Sequence, residues 1–325
     1  MFRMEVVTMT DAYTSTYEVI VVGGGAAGLS AALVLGRARR RTLVVDAGEP
    51  RNAPAAHMQG YLSRDGMPPA EFLARGREEI ARYGVDLVRD TVVDVRRSHD
   101  FAVVLAGGRT VRARRLVVAT GLADELPPVP GVAERFGRDV LHCPYCHGWE
   151  VRDGAFGVLA TSPMSVHQAL LVTQWSKDVT LFAHTLGEEA ISDEDLRRLA
   201  AAGVSVVPGE VAELVVEDDG LTGIRLADGS VHARSTVFVA PRFAPRTGLL
   251  ERLGAEMKET PFGTAPVTDE TGRSTVPGVW VAGNTTLTSQ QVVHAAGDGY
   301  RAAATLNNEL VMESVDAAVA TGSQV

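Results

Sequence analysis

Tyr17 to Val22 is a short apolar run that reads as a strand, and Gly23-Gly24-Gly25-Ala26-Ala27-Gly28 follows it at once. Leu29 to Leu35 then reads as a buried helix, and Thr42 to Asp46 as a second strand. Strand, glycine-rich turn, helix and strand within about 30 residues commit this end of the chain to a βαβ unit, and so to a parallel sheet. Gly23, Gly25 and Gly28 have the spacing of a phosphate-binding fingerprint. The first permits a tight turn, the second lets backbone approach a pyrophosphate, and the third allows close helix–strand packing. The helix N-terminus adds N–H groups and a partial positive charge. Asp46 ends the second strand, where a carboxylate can accept from ribose hydroxyls. A glycine-rich turn that binds nothing is the alternative, and both the strand–turn–helix frame and Asp46 argue against it.

With 325 residues the chain can hold two domains of ordinary size. A hydrophobic fraction of 46% beside 22% charged residues is that of a soluble globular enzyme. A net charge of -9 argues against nucleic acid or an anionic membrane as partner. No run reaches the roughly 18 apolar residues of a membrane span. Met1 to Tyr17 is too polar for a secretory signal, so residues 1–16 are expected to be a disordered leader and the protein cytoplasmic. In that compartment two cysteines do not suggest a structural disulfide.

Further along, Thr91 to Val95, Phe101 to Leu105 and Thr110 to Ala113 read as a small antiparallel insert. Arg115 to Thr120 returns to the sheet and ends at Ala119-Thr120-Gly121. Pro127 to Gly131 is a stiff connector. A second unit of similar layout follows: strand Phe156 to Ala160, helix Met164 to Trp175, strand Val179 to Ala183, helix Ser192 to Ala202 and a closing stretch Val231 to Val239. Pro241 to Pro245 leads back to a strand and turn at Gly278 to Asn284 and a last helix at Gln290 to Glu309. The expected fold class is α/β with two Rossmann-like (three-layer ββα) nucleotide-binding domains. The first is discontinuous, 17–125 and 242–325; the second spans 126–241.

The only two cysteines lie in Cys143-Pro144-Tyr145-Cys146-His147. Literal C-x-x-C-H matches c-type haem attachment, which requires export. A zinc site would need further ligands, which His142 and His147 could offer only with awkward geometry, so no metal is expected. C-x-x-C near a βαβ pattern reads first as a redox dithiol, whose thiols have depressed pKa values.

Together with Ala119-Thr120-Gly121 and Gly278-Val279-Trp280-Val281-Ala282-Gly283-Asn284, these motifs make residues 17–311 resemble the low-molecular-weight thioredoxin reductase family. The resemblance implies a homodimer with FAD held by Gly23, Gly25, Gly28, Asp46, Asn52, Ala119, Thr120, Gly121, Gly283, Asn284, Gln291 and Val292. Asn284 stands where the family usually has Asp; Gln290 and Gln291 stand at the start of its last helix, where simple capping is the alternative role. The family's NADPH loop falls on Phe156 to Ser165, but its three glycine-type positions hold Ala160, Ser162 and Ser165, and Pro163 removes an N–H donor. Where the family carries His-Arg-Arg for a 2′-phosphate, this chain has Ala183-His184-Thr185. Tight NADPH binding is therefore not expected, though Thr161 and Ser162 could still hold some anion.

The subfamily with this pattern is the thioredoxin reductase-like, FAD-dependent dithiol oxidases of antibiotic and other natural-product pathways, of the gliotoxin and holomycin type. That resemblance implies Cys146 beside the flavin and Cys143 as the outer thiol. It puts His147 in place of the family's Asp, with His142 as a second candidate base. The substrate would be a small-molecule dithiol and the electron acceptor O2, giving H2O2. A disulfide reductase fed by NADPH or ferredoxin, and a flavin-bearing redox sensor, are the alternatives.

Overall fold

The computed structural model describes residues 16–260 and 263–322; the expected leader lies outside them except for Thr16. The chain begins with β1 (Thr16–Val22), α1 (Ala26–Arg37), β2 (Thr42–Asp46), α2 (Pro69–Ala81) and β3 (Asp86–Arg89), then β4 (Val92–Arg97), β5 (Phe101–Leu105) and β6 (Thr110–Val118). It continues through β7 (Leu122–Glu125), α3 (Val132–Arg135), β8 (Val140–Leu141), α4 (Pro144–His147), β9 (Phe156–Leu159), α5 (Met164–Val172), β10 (Val179–Phe182) and α6 (Asp193–Ala201). Next come β11 (Ser205–Val207), β12 (Val211–Glu217), β13 (Gly220–Leu226), β14 (Val231–Ala233), β15 (Thr236–Val239) and β16 (Arg242–Pro245). It ends with α7 (Gly248–Arg252), β17 (Met257–Thr260), β18 (Gly263–Pro266), β19 (Val279–Val281) and α8 (Val292–Thr321).

Two compact units result. Within the described residues the first holds 16–50, 73–122 and 245–322, and the second holds 51–72 and 123–244. The first is built on a sheet in the order β3-β2-β1-β6-β5-β4, with β19 also paired to β6. β1, β2, β3, β6 and β19 run parallel, while β4, β5 and β6 pair antiparallel. The second has a parallel sheet in the order β11-β10-β9-β15-β8 and a three-stranded ladder β12-β13-β14. β7 pairs with β16, and β17 with β18. β2, β9, β10 and β15 are buried at every residue, the pattern of strands covered on both faces; in the second unit α5 and α6 cover one face and the β12-β13 ladder the other. The α/β class with two Rossmann-like sheets is as the sequence reading expects.

Among the boundaries that differ from the sequence reading, three have a clear physical reason. Thr110 to Ala113 and Arg115 to Thr120 form one strand, β6, because β1 runs alongside both halves. The first half of β6 also pairs with β5 and the second with β19. Val231 to Val239 breaks at Arg234 and Ser235, giving β14 to the ladder and β15 to the parallel sheet. The last helix begins two residues later than expected and runs on to Thr321, since nothing after Glu309 breaks it until Gly322 caps it in the left-handed region (φ 66). Among the described residues no helix is long and apolar enough to cross a membrane.

Candidate active site

In the first unit, β1 delivers the chain into a turn that only glycine can make. Gly23 has φ +107, and a Cβ there would stand 2.3 Å from the Ala119 carbonyl oxygen. At Gly28 a Cβ would stand 1.8 Å from the Gly23 carbonyl oxygen, so α1 sits directly against the turn. Gly25, the N-cap of α1, has nothing within 4 Å of its Cβ position. A tight turn, a close helix and open space at the middle glycine are the three features a pyrophosphate cradle needs.

Distant segments converge on this turn. Gly121 N–H donates to Thr285 Oγ1 at 2.7 Å, and Thr120 Oγ1 to the Arg246 carbonyl at 2.8 Å. Gly283 (φ +74) lies so near α1 that its Cβ would be 2.8 Å from that of Ala27. Asp46 accepts from Gly24 N–H at 3.3 Å and Gly48 N–H at 3.1 Å, and Arg77 pairs with it at 3.3 Å. The carboxylate expected to meet a ribose therefore also braces the glycine turn and the start of the loop after β2. The Asn284 amide likewise donates to the carbonyls of Thr288 (3.0 Å) and Gln290 (3.1 Å), shaping the entry to α8. Gln291 is the N-cap of α8 in a reciprocal capping box with His294, and Val292 opens the helix. Gln290 Oε1 is buried without a donor, an acceptor that a polar ligand edge would satisfy. These features fit FAD. Asn52, on the segment 51–72, belongs by its contacts to the second unit.

In the second unit the chain leaves β8 and turns at Cys143, the N-cap of the four-residue helix α4. Pro144 at N1 suits a helix start. The Cys143 carbonyl accepts from Cys146 N–H (3.1 Å) and His147 N–H (3.2 Å), so one turn holds both half-buried cysteines and His147 together. Gly148 follows because a Cβ there would be 2.6 Å from the Pro144 oxygen and 2.7 Å from the Trp175 ring. Tyr145 meets Trp175 edge-on at 5.6 Å, and Arg152 stacks 4.0 Å over Trp149.

Both candidate bases are held neutral. Both ring nitrogens of His147 are buried without a hydrogen bond, and this burial lowers its pKa. Glu150 and the nearby Cys143 carbonyl oppose the shift, although no hydrogen bond of normal geometry reaches the ring. His142 packs edge-on against Phe243 at 5.2 Å. Burial first, and then the Arg51 charge, push it down to about 4, with Asp124 opposing. Arg51 grips Asp124 through two hydrogen bonds (2.8 and 2.7 Å) and stacks 4.9 Å over Phe243. A neutral imidazole keeps a lone pair free for a thiol proton, while the lowered pKa makes each residue a weaker base than a free histidine. For His142 the folded state resists protonation that the unfolded chain accepts near pH 6.5. Stability is thus intact above that pH and lost as pH falls towards 4, by about 3 kcal/mol. Denaturant unfolding at pH 7 and pH 4.5 should show a loss on acidification in the wild type that exceeds the loss in His142→Gln by about that amount; equal losses would contradict it.

The loop in the NADPH position is closed on itself. Thr161 N–H donates to Ser165 Oγ at 3.2 Å, Ser165 N–H to the Ser162 carbonyl at 2.9 Å, and Leu186 N–H to the Ala160 carbonyl at 3.1 Å. His184 Nδ1 accepts from Val211 N–H at 3.1 Å, and burial lowers its pKa, so no cation stands there.

Sequence reasoning passed over Gly24, whose Cβ would meet Asp46 Cγ at 2.6 Å, and Gly299, whose Cβ would stand 1.9 Å from the Ala27 oxygen where α8 crosses α1. A glycine inside a helix was the available signal for Gly299. The Arg51–Asp124 clamp had no local signal.

A family model described as pyridine nucleotide-disulphide oxidoreductase matches residues 17–299. The thioredoxin reductase tcpT of Claviceps purpurea is 32% identical over 311 residues, covering 91% of this chain and 95% of the relative. The thioredoxin reductase sirT of Leptosphaeria maculans is 31% identical over 312 residues, covering 90% and 94%. Among solved structures, that of HlmI matches with a TM-score of 0.90 at 53% identity, covering 94% of this chain and 96% of that one.

Proposed function

The chain belongs to the pyridine nucleotide-disulphide oxidoreductase family, as a thioredoxin reductase-like, FAD-dependent oxidoreductase of thiols and disulfides, and from that premise we propose that it is a dithiol oxidase. It closes an intramolecular disulfide in a small-molecule natural product of the holomycin type. Electrons pass through Cys143 and Cys146 to FAD and on to O2, which leaves as hydrogen peroxide. One asymmetry carries this reading: the C-x-x-C turn has a neutral buried base beside it, whereas the second nucleotide loop has its Thr161 and Ser165 amides engaged internally and no cation at His184.

Gly23, Gly25 and Gly28 with the start of α1 would hold the FAD pyrophosphate. Ala119, Thr120, Gly121, Gly283, Asn284, Gln291 and Val292 would shape the rest of its site, with Asp46 bracing the turn; the family resemblance adds Asn52. Bound FAD supplies a two-electron acceptor for the dithiol. His147 or His142 takes the proton from a substrate thiol, and the resulting thiolate attacks Cys143 Sγ in the Cys143–Cys146 disulfide. That bond breaks and Cys146 leaves as thiolate. The second substrate thiol then attacks the substrate's own sulfur in the mixed disulfide. A cyclic disulfide departs and Cys143 keeps the electron pair. The substrate loses two electrons and two protons, and the cysteine pair gains the electrons. We propose a homodimer, on the family resemblance, and a cytoplasmic enzyme, on the polar character of its first residues.

The test is an oxygen electrode with purified protein. Dithiothreitol, standing in for the natural dithiol, should drive oxygen uptake and peroxide release. NADPH should neither do so nor bleach the flavin anaerobically. Two missing charge-assisted phosphate contacts, about 1.5–3 kcal/mol each, weaken NADPH by roughly two to four powers of ten. Rapid anaerobic bleaching by micromolar NADPH would favour a thioredoxin reductase, the activity in the names of tcpT and sirT.

A further inference from the structure

We infer that Gln168 is a positioning residue that mounts the Cys143–Cys146 turn on the core of the second unit. The inference rests on the dithiol reading above. β8 is the edge strand of its sheet and only two residues long, paired to β15 through Val140 with Val237 and Leu141 with Phe238. The ladder stops there, one residue short of His142 and two short of Cys143. Gln168 reaches in from α5 at that point. Its Nε2 donates to the His142 carbonyl at 2.7 Å and to the Val239 carbonyl, at the end of β15, at 3.2 Å. One side-chain amide therefore replaces the ladder bond that the two strands cannot make.

The chemistry of the amide fixes its direction. Both acceptors are backbone carbonyls, so the NH2 group must face them, and both of its hydrogens are engaged. Gln168 is only 8% exposed, and its Oε1 is buried with no donor. A buried acceptor left without a partner is costly. The residue is thus held there for its two donors, against the cost of its own oxygen. The helix that carries it follows the closed, glycine-poor loop, so α5 braces the dithiol where a nucleotide-binding copy of the fold would face a phosphate.

Removing the tether frees the segment between β8 and α4. A disulfide restricts that segment more than a dithiol does, so the dithiol gains more from the freedom. In glutathione redox buffers, with the Cys143–Cys146 state read by alkylation and mass on FAD-loaded protein, Gln168→Leu should shift the equilibrium towards dithiol about tenfold, or about 30 mV. His167→Ala, at an exposed neighbour on α5, should not shift it. Gln168→Glu should behave like Leu where the carboxylate is ionised, above a pKa that burial and the two facing carbonyls raise. It should return towards wild type as pH falls and the acid regains an O–H donor. A Gln168→Leu equilibrium within about twofold of wild type, with FAD retained, overturns the role. If that variant does not fold, a Gln168→Glu equilibrium that stays flat with pH overturns it. The readout uses neither O2 nor a natural substrate, so the tether can hold even if the oxidase reading fails. A wild type in which Cys143 and Cys146 form no disulfide sinks the dithiol reading, and the tether with it.

Discussion

Cys143→Ser and Cys146→Ser are each expected to cut dithiol-driven oxygen uptake by about a thousandfold or more, equivalent to at least about 4 kcal/mol of barrier, while the protein stays yellow. The electrophile in the proposed reaction is the sulfur–sulfur bond itself, and one sulfur cannot form it. What remains is only the slow direct reaction of a thiol with flavin. The fold should tolerate both changes, because the Cys143 carbonyl accepts from the Cys146 and His147 amides and serine keeps that backbone. The two variants should differ in one respect. Cys146→Ser keeps the outer thiol, which can open a cyclic disulfide product and remain joined to it; the protein then gains the mass of one product molecule. Cys143→Ser should gain none. Oxygen-electrode rates, visible flavin absorbance and intact mass check the three statements. Full turnover in either variant would remove the cysteine pair from the mechanism.

Gly28→Ala is expected to lose both FAD and stability. Its methyl would press on the Gly23 carbonyl, 1.8 Å away, and on Val21 Cγ1, 3.3 Å away. Neither can yield easily: the first is backbone, and Gly23 is itself backed by the Ala119 carbonyl. Relief comes from lifting α1 off β1 or opening the turn, and overpacking of this kind costs about 1–3 kcal/mol. The same displacement carries the α1 N-terminus away from the pyrophosphate, so FAD affinity should fall at least about tenfold, which needs only about 1.4 kcal/mol. Gly25→Ala separates the two effects. Its methyl meets nothing in the protein and the backbone there is extended (φ -78, ψ -170), so the apoprotein should melt as wild type does while FAD binding weakens. Thermal melts of the apoproteins and FAD titration read the two quantities. Unchanged FAD affinity in Gly25→Ala would mean that the cradle holds no pyrophosphate.

Much of the first unit was legible because its signals are local. A glycine that must take φ +107 and an apolar strand and helix at the right spacing lie within one stretch of chain, and β2 has the bounds read for it. The dithiol was legible for the same reason, since C-x-x-C is one helical turn. The antiparallel insert was seen, but β6 was cut in two, because its continuity comes from β1 and β19, which lie far away in the sequence. α2 and β3 went unread. Gly76 interrupts the helix and β3 is exposed at all but Val88, so neither shows the apolar run that marked α1 and β2.

The sequence by itself determined the backbone chemistry: where glycine is obligatory, where two thiols share a turn, and which phosphate-binding residues are missing from the second nucleotide loop. These follow from residue type and near-neighbour geometry. Only the tertiary structure decided the electrostatic state of the groups around the thiols. His147 is neutral because burial strips its water, His142 because Phe243 and Arg51 reach it from elsewhere in the chain, and the turn is steadied by Gln168 from a neighbouring helix. Desolvation and through-space charge depend on what packs against a group, which one stretch of sequence does not record.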